Sequence, residues 1–146
     1  MLFTLGAGAK RDSAATQVHK GRQAISTPDA PAAIGPYSQA IRVGDALYLA
    51  GQLGMDPSTG KLADGIEAQT RQAMQNLNAV LDAAGFTMDD VVQCQIFLRD
   101  LDHYAAMNAV YAQHFAGAPP ARAVVQAARI PRDADVEIMM VAMRSR

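Results

Sequence analysis

The run Val136-Glu137-Ile138-Met139-Met140-Val141-Ala142-Met143 constrains this chain most: seven of its eight residues are apolar. A strand that apolar is buried on both faces. Two helical segments are legible elsewhere, and together they cover one face of a sheet. The other face needs a different cover, and a symmetric homo-oligomer is the simplest one.

The one charge in that run, Glu137, has a counterpart in Pro119-Pro120-Ala121-Arg122-Ala123-Val124-Val125. Arg122 follows a diproline, where a strand would begin. A charge buried alone costs several kcal/mol, about enough to require a partner or a ligand. A fixed guanidinium clamps a carboxylate bidentately, and a carboxylate near it orients or deprotonates a water. The pair points to a small pocket for an anionic metabolite and to hydrolysis without a metal. A structural Arg–Glu pair joining two strands gives the same pattern.

The remaining elements give an α+β order. Ala40–Val43 and Ala46–Ala50 flank Gly44-Asp45, a two-residue hairpin signal. Residues 56–60 form a turn by composition. A helix is predicted from about Ile66 to Ala84, with Ala73, Met74, Leu77, Val80 and Leu81 on its apolar stripe and Gly85 as its stop. A strand over 91–98 follows. A second helix is expected from about Asp102, as N-cap, to Phe115, with Met107, Val110 and Tyr111 inward. Strands over about 121–128 and 135–143 complete a mixed sheet with two helices on one face.

Residues 1–23 read as a flexible N-terminal arm, and 24–146 as a single domain. The arm holds Lys10, Arg11, Lys20 and Arg22 against Asp12, while the rest has nine basic and thirteen acidic residues, or −4. That balance predicts no nucleic-acid partner, and no apolar run is long enough to predict a membrane one. The single cysteine, Cys94, excludes an internal disulfide and a cysteine-based zinc site. It is expected to be buried and inert, with no cationic neighbour evident. His19, His103 and His114 lack metal-ligand spacing. Gln39 and Gln52 are read as structural, and Arg129 and Arg132 as solvent-facing.

Several motifs stand in register over roughly 24–144: Ala32–Ala40 (AAIGPYSQA), Ala50-Gly51-Gln52, Asn108 with Tyr111, Pro120-Ala121-Arg122, Ala128-Arg129-Ile130-Pro131 and Val136-Glu137-Ile138. In these the chain resembles the RidA/YjgF/UK114 family of reactive-intermediate deaminases. The resemblance implies a chorismate-mutase-like fold, assembled as a homotrimer around a central barrel, with three sites between subunits. It implies cofactor-independent hydrolysis of enamine/imine intermediates, such as 2-iminobutanoate and 2-iminopropanoate, to 2-oxo acids and ammonia. A cytoplasmic location is expected with it.

Carried over by residue, the resemblance makes Arg122 the carboxylate clamp and Glu137 the holder of the attacking water. Tyr37 would line the pocket, Asn108 would add a polar contact, and the Gly51 backbone would approach the ligand. Ala50 stands where many members carry serine, and Val124 where they carry cysteine, so both substrate-binding positions are apolar here. That substitution favours a bulkier or more apolar side chain on the substrate. It also keeps open a trimeric sensor of 2-oxo or imino acids without turnover, and a deaminase of a pathway-specific imine such as an aminoacrylate or aminomuconate is a second alternative beside it. Some family members are described as cleaving RNA; the acidic globular part and the lack of a histidine pair argue against that here.

Overall fold

The structure, a computed structural model, describes residues 21–145. Among these, six strands build one mixed sheet: β1 (Arg22–Ile25), β2 (Ala40–Val43), β3 (Ala46–Leu53), β4 (Val91–Leu98), β5 (Ala121–Gln126) and β6 (Val136–Met143). Their spatial order is β1-β2-β3-β6-β4-β5, and only the β4–β5 pair is parallel. The most apolar strand, β6, therefore lies between β3 and β4 near the middle of the sheet.

The helices α1 (Gly65–Ala83) and α2 (Tyr104–Tyr111) pack against each other, and α1 lies across β3 and β6. The predicted stripe of α1 is the one buried: Ala73, Met74, Leu77, Val80 and Leu81 have no exposed surface. They meet Val136, Ile138, Met140 and Ala142, the alternate residues of β6. Gly85 ends α1 in a left-handed conformation, φ +73°, with its N–H on the Asp82 carbonyl.

The buried face of α1 also carries amides that periodicity does not reveal. Asn76 Nδ2 donates to the carbonyls of Leu53 and Met55 at 3.1 and 2.8 Å. Gln69 accepts from the Asp135 N–H at 2.8 Å and donates to the Asp135 carboxylate at 3.2 Å. These bonds fix the end of β3 and the entrance of β6. Unpaired buried amides cost about 1–3 kcal/mol each, so the pairing is what permits them in the core. Gly54 completes the joint: a Cβ there would overlap the Gln69 backbone.

Opposite the helices the sheet is left uncovered by the described residues. Tyr48, Val125 and Met143 are about half exposed on it, and Met139 and Val141 stand beside them. The apolar second face expected from the sequence is therefore present.

Several boundaries differ from the sequence reading. Arg22 and Gln23, placed in the arm, pair with Val43 and Arg42 and belong to β1; edge pairing with β2 overrides their polar composition. Residues 1–20 of the expected arm lie outside the described residues. The second helix is regular only over 104–111, with 3-10 turns at 101–103 and 112–114. Its cap is Asp100, whose carboxylate accepts from the Asp102 N–H at 2.9 Å, and not Asp102 itself. β5 stops at Gln126, whose side chain accepts from the Leu101 N–H at 3.0 Å.

Candidate active site

Glu137 lies on β6, on the uncovered face, between Leu53 of β3 and Phe97 of β4. Between Leu49 and Gln52, β3 has one more residue than the β6 segment facing it, a bulge at Ala50-Gly51. Bulges bend a strand and re-aim its neighbours. Here the bulge brings backbone without a side chain against the carboxylate. A Cβ on Gly51 would overlap Glu137 Oε1 and come within 3.0 Å of its Cδ and Cγ. The close approach that requires glycine is therefore made by Glu137, where a ligand was expected from the sequence.

Glu137 lines a cleft of about 380 Å³ together with Tyr37, Ala50 and Gly51. Ile34 and Met55 add apolar wall, and Arg132 stands at the side. Three anchors hold these walls. Gln39 is buried and pins the loop before it, accepting from the Thr27 N–H at 2.7 Å and donating to the carbonyls of Thr27, Ala30 and Pro31. Its own carbonyl accepts from the Ala50 N–H at 2.9 Å, tying the loop to the bulge. Asn76 holds Leu53 and Met55. Arg129 and Asp133 close the 131–133 turn with contacts of 2.9 and 3.3 Å.

The Glu137 carboxylate is half-buried and has no hydrogen-bond donor or ion-pair partner among the described residues. Burial pushes its carboxyl above the ordinary carboxylate value. A carboxylate with its lone pairs free, beside an apolar wall, suits holding and deprotonating a water.

Arg122 belongs to a second cluster. Its guanidinium donates to Asn108 Oδ1 at 2.7 Å and to the Tyr104 hydroxyl at 3.2 Å. It also lies over the Tyr111 ring, 4.8 Å from the centroid. The Asn108 amide and then the guanidinium hold the Tyr104 hydroxyl below the ordinary phenol range. Tyr104, Asn108 and Tyr111 are spaced i, i+4 and i+7, one face of α2, and that spacing is the signal by which Tyr104 could have been found. Val124 follows Arg122 on the same face of β5 and packs on the core.

The two clusters do not meet within one chain. Arg122 is opposite Cys94 on β4, and Glu137 is opposite Phe97 three residues further along. Side chains three apart on a strand point to opposite faces. Arg122 reaches α2 on the helical side, and Glu137 faces the uncovered side. A structural Arg122–Glu137 pair joining two strands is excluded in the single chain. So is the simple pocket built from both.

Other expectations divide. Cys94 is buried and burial raises its thiol value, as expected of an inert cysteine. Arg122 is nevertheless a cationic neighbour that the sequence did not reveal, brought alongside by the parallel β4–β5 pairing. Arg129 is exposed and ion-paired, and Arg132 is exposed but lines the cleft. Among the described residues no three His, Cys, Asp or Glu side chains are grouped to hold a metal. No helix among them is long and apolar enough to cross a membrane.

The sheet, the two helices on one face and the bulged strand beside Glu137 define an α+β protein with a cleft at one end of a half-covered sheet. The chain belongs to the RidA/YjgF family: the family model described as "Endoribonuclease L-PSP" matches residues 27–144. It is 44% identical over 124 residues to the 2-iminobutanoate/2-iminopropanoate deaminase of Mus musculus, covering 84% of this chain and 92% of that one. It is also 44% identical over 124 residues to a RutC family protein of Pyrococcus horikoshii, covering 84% and 98%. The crystal structure of RidA from an Antarctic Psychrobacter superposes with a TM-score of 0.82 at 43% identity, over 84% of this chain and 99% of that one.

Proposed function

We propose that the chain is a deaminase of 2-imino acids, acting in the cytoplasm at sites formed between the subunits of a homotrimer. The observation that carries this reading is the half-buried Glu137 carboxylate, without a partner among the described residues, in an apolar cleft on the sheet face that those residues leave uncovered. A relative 44% identical is named 2-iminobutanoate/2-iminopropanoate deaminase, which supports this substrate class.

The trimer supplies what one chain lacks. Arg122 and Glu137 face opposite sides of the sheet, so a site holding both needs a second copy. Tyr48, Val125, Met139, Val141 and Met143 form an apolar surface for copies to cover, in keeping with sheets closing around a central barrel.

In such a site Arg122 clamps the substrate carboxylate, already oriented by Asn108 and Tyr104. A protonated 2-imino acid has an electrophilic C2. Glu137 takes a proton from a water whose oxygen bonds to C2, and the C=N π electrons move to nitrogen. The tetrahedral carbinolamine then receives that proton on nitrogen. Glu137, ionised again, takes the hydroxyl proton as the C–N bond breaks and its electron pair leaves with nitrogen, giving a 2-oxo acid and ammonia. Orientation and a positioned base suffice for so reactive a substrate. Tyr37 and Ala50 shape the wall.

The test is a coupled assay. An amino-acid oxidase generates 2-iminobutanoate, semicarbazide traps it, and diversion to 2-oxobutanoate is read for the parent and for Arg122→Ala, with assembly followed by light scattering. Diversion by the parent alone supports the reading. An assembled parent that binds 2-oxobutanoate and diverts nothing points to a sensor, with Ala50 and Val124 as the positions to revert to serine and cysteine.

A further inference from the structure

We propose that Arg132 is a specificity-determining residue that binds a second anionic group, on the substrate side chain, so that the site accepts acidic 2-imino acids; this rests on the imine-hydrolysis reading. Among the described residues, Arg132 and Glu137 are the only charged side chains lining the cleft. Neither has a hydrogen-bond or ion-pair partner among the described residues. A carboxylate alone in an apolar cleft repels an anionic ligand. A cation beside it reverses that, and a guanidinium matches a carboxylate in shape as well as charge.

The backbone at this point is unusual in a way that side-chain placement explains. Arg132 adopts φ +60°, ψ +17°, and Asp133 follows at φ +55°. Two left-handed positions in succession favour glycine or asparagine, and arginine is a poor choice for conformation alone. Strain of this kind persists where surroundings enforce it, and it gathers at functional sites. The enforcing contacts are present. Arg129 clasps the Asp133 carboxylate through Nε and Nη2 at 2.9 and 3.3 Å, and the Asp133 N–H donates to the Ile130 carbonyl at 3.1 Å. Arg129 is thereby occupied, and Arg132 is left as the uncommitted cation turned to the cleft.

The experiment compares two imines made in situ, one from 2-aminobutanoate and one from glutamate, on the parent, Arg132→Ala, Arg132→Lys and Arg132→Gly. The expected result for Arg132→Ala is a fall of about tenfold or more in kcat/KM for the acidic imine, carried by KM, with the neutral imine changed by less than about twofold. Arg132→Lys retains most of the acidic activity. Arg132→Gly repeats the loss with stability kept or raised, since glycine accepts the left-handed turn. An equal loss on both imines, or none on either, overturns the proposal. Calorimetry with 2-oxobutanoate and 2-oxoglutarate separates the failures. A parent that neither hydrolyses nor binds any of these ligands sinks both readings. A parent that hydrolyses the neutral imine, with acidic activity indifferent to Arg132, sinks this one alone.

Discussion

Arg122 and Glu137 point to opposite faces of the same sheet, held apart by β4, where their register partners Cys94 and Phe97 stand three residues apart. The two charged residues in apolar strands therefore serve different surfaces of the chain. Under the proposed function they meet only across subunits, and this can be tested by mixing. Arg122→Ala and Glu137→Gln, each inactive alone, are unfolded together and refolded. Random assortment of equal populations then gives about a quarter of the sites both native residues. Recovery near that fraction is expected in the imine assay. No recovery, with both variants assembled together, rules out a shared site.

Gly51 and Glu137 give a second prediction. A methyl group at Gly51 overlaps the Glu137 carboxylate. Overpacking of this kind costs about 1–3 kcal/mol, and a domain of this size loses roughly 2–12 °C in Tm for it. Gly51→Ala is expected to lose activity and melt lower. Glu137→Ala in the same chain removes the clash, so the double variant should melt above Gly51→Ala alone. Additive losses would mean that the approach is not what requires glycine.

The pH dependence follows from burial of Glu137, which raises its carboxyl value. The folded chain then holds the proton up to a higher pH than the unfolded chain does. Stability from this group is highest below the unfolded carboxyl value. It declines as pH rises through the window up to the raised folded value, and is constant above. Glu137→Gln, which never ionises, should gain in Tm relative to the parent at pH 7 and lose that gain by about pH 4, where the carboxyl is mostly protonated in both states. Activity behaves oppositely, because the base must be ionised: the parent's kcat/KM should fall on the acid side as Glu137 takes its proton.

Asn108 holds the Arg122 guanidinium through a 2.7 Å bond. Asn108→Ala should leave assembly intact and raise KM by about tenfold, the order expected for a lost hydrogen bond to a charged group. Tyr104→Phe removes a longer bond of 3.2 Å and keeps the ring, so its effect should be smaller. A larger loss for Tyr104→Phe than for Asn108→Ala would assign the hydroxyl a direct part in the chemistry.

Most of the elements were legible in the sequence, though not β1. The period of Ala73, Met74, Leu77, Val80 and Leu81 located α1, and the eight-residue runs located β4 and β6. Lone charges in apolar strands singled out Arg122 and Glu137, because burial makes an unexplained charge costly. These are local signals, carried by spacing and by one residue's misfit with its neighbours. Tertiary structure decided what each residue faces. The β3 bulge put Gly51 under Glu137, and parallel pairing put Arg122 beside Cys94. The bulge and the pairing join residues dozens of positions apart, and no period in the chain encodes their register. Likewise the turn at 131–133 set Arg132 on the cleft through an ion pair and two left-handed residues. Arg132 is exposed, as an arginine after a proline reads from sequence, but that it also borders the cleft is known only from the fold, since sequence shows a side chain's chemistry and only the fold gives its direction.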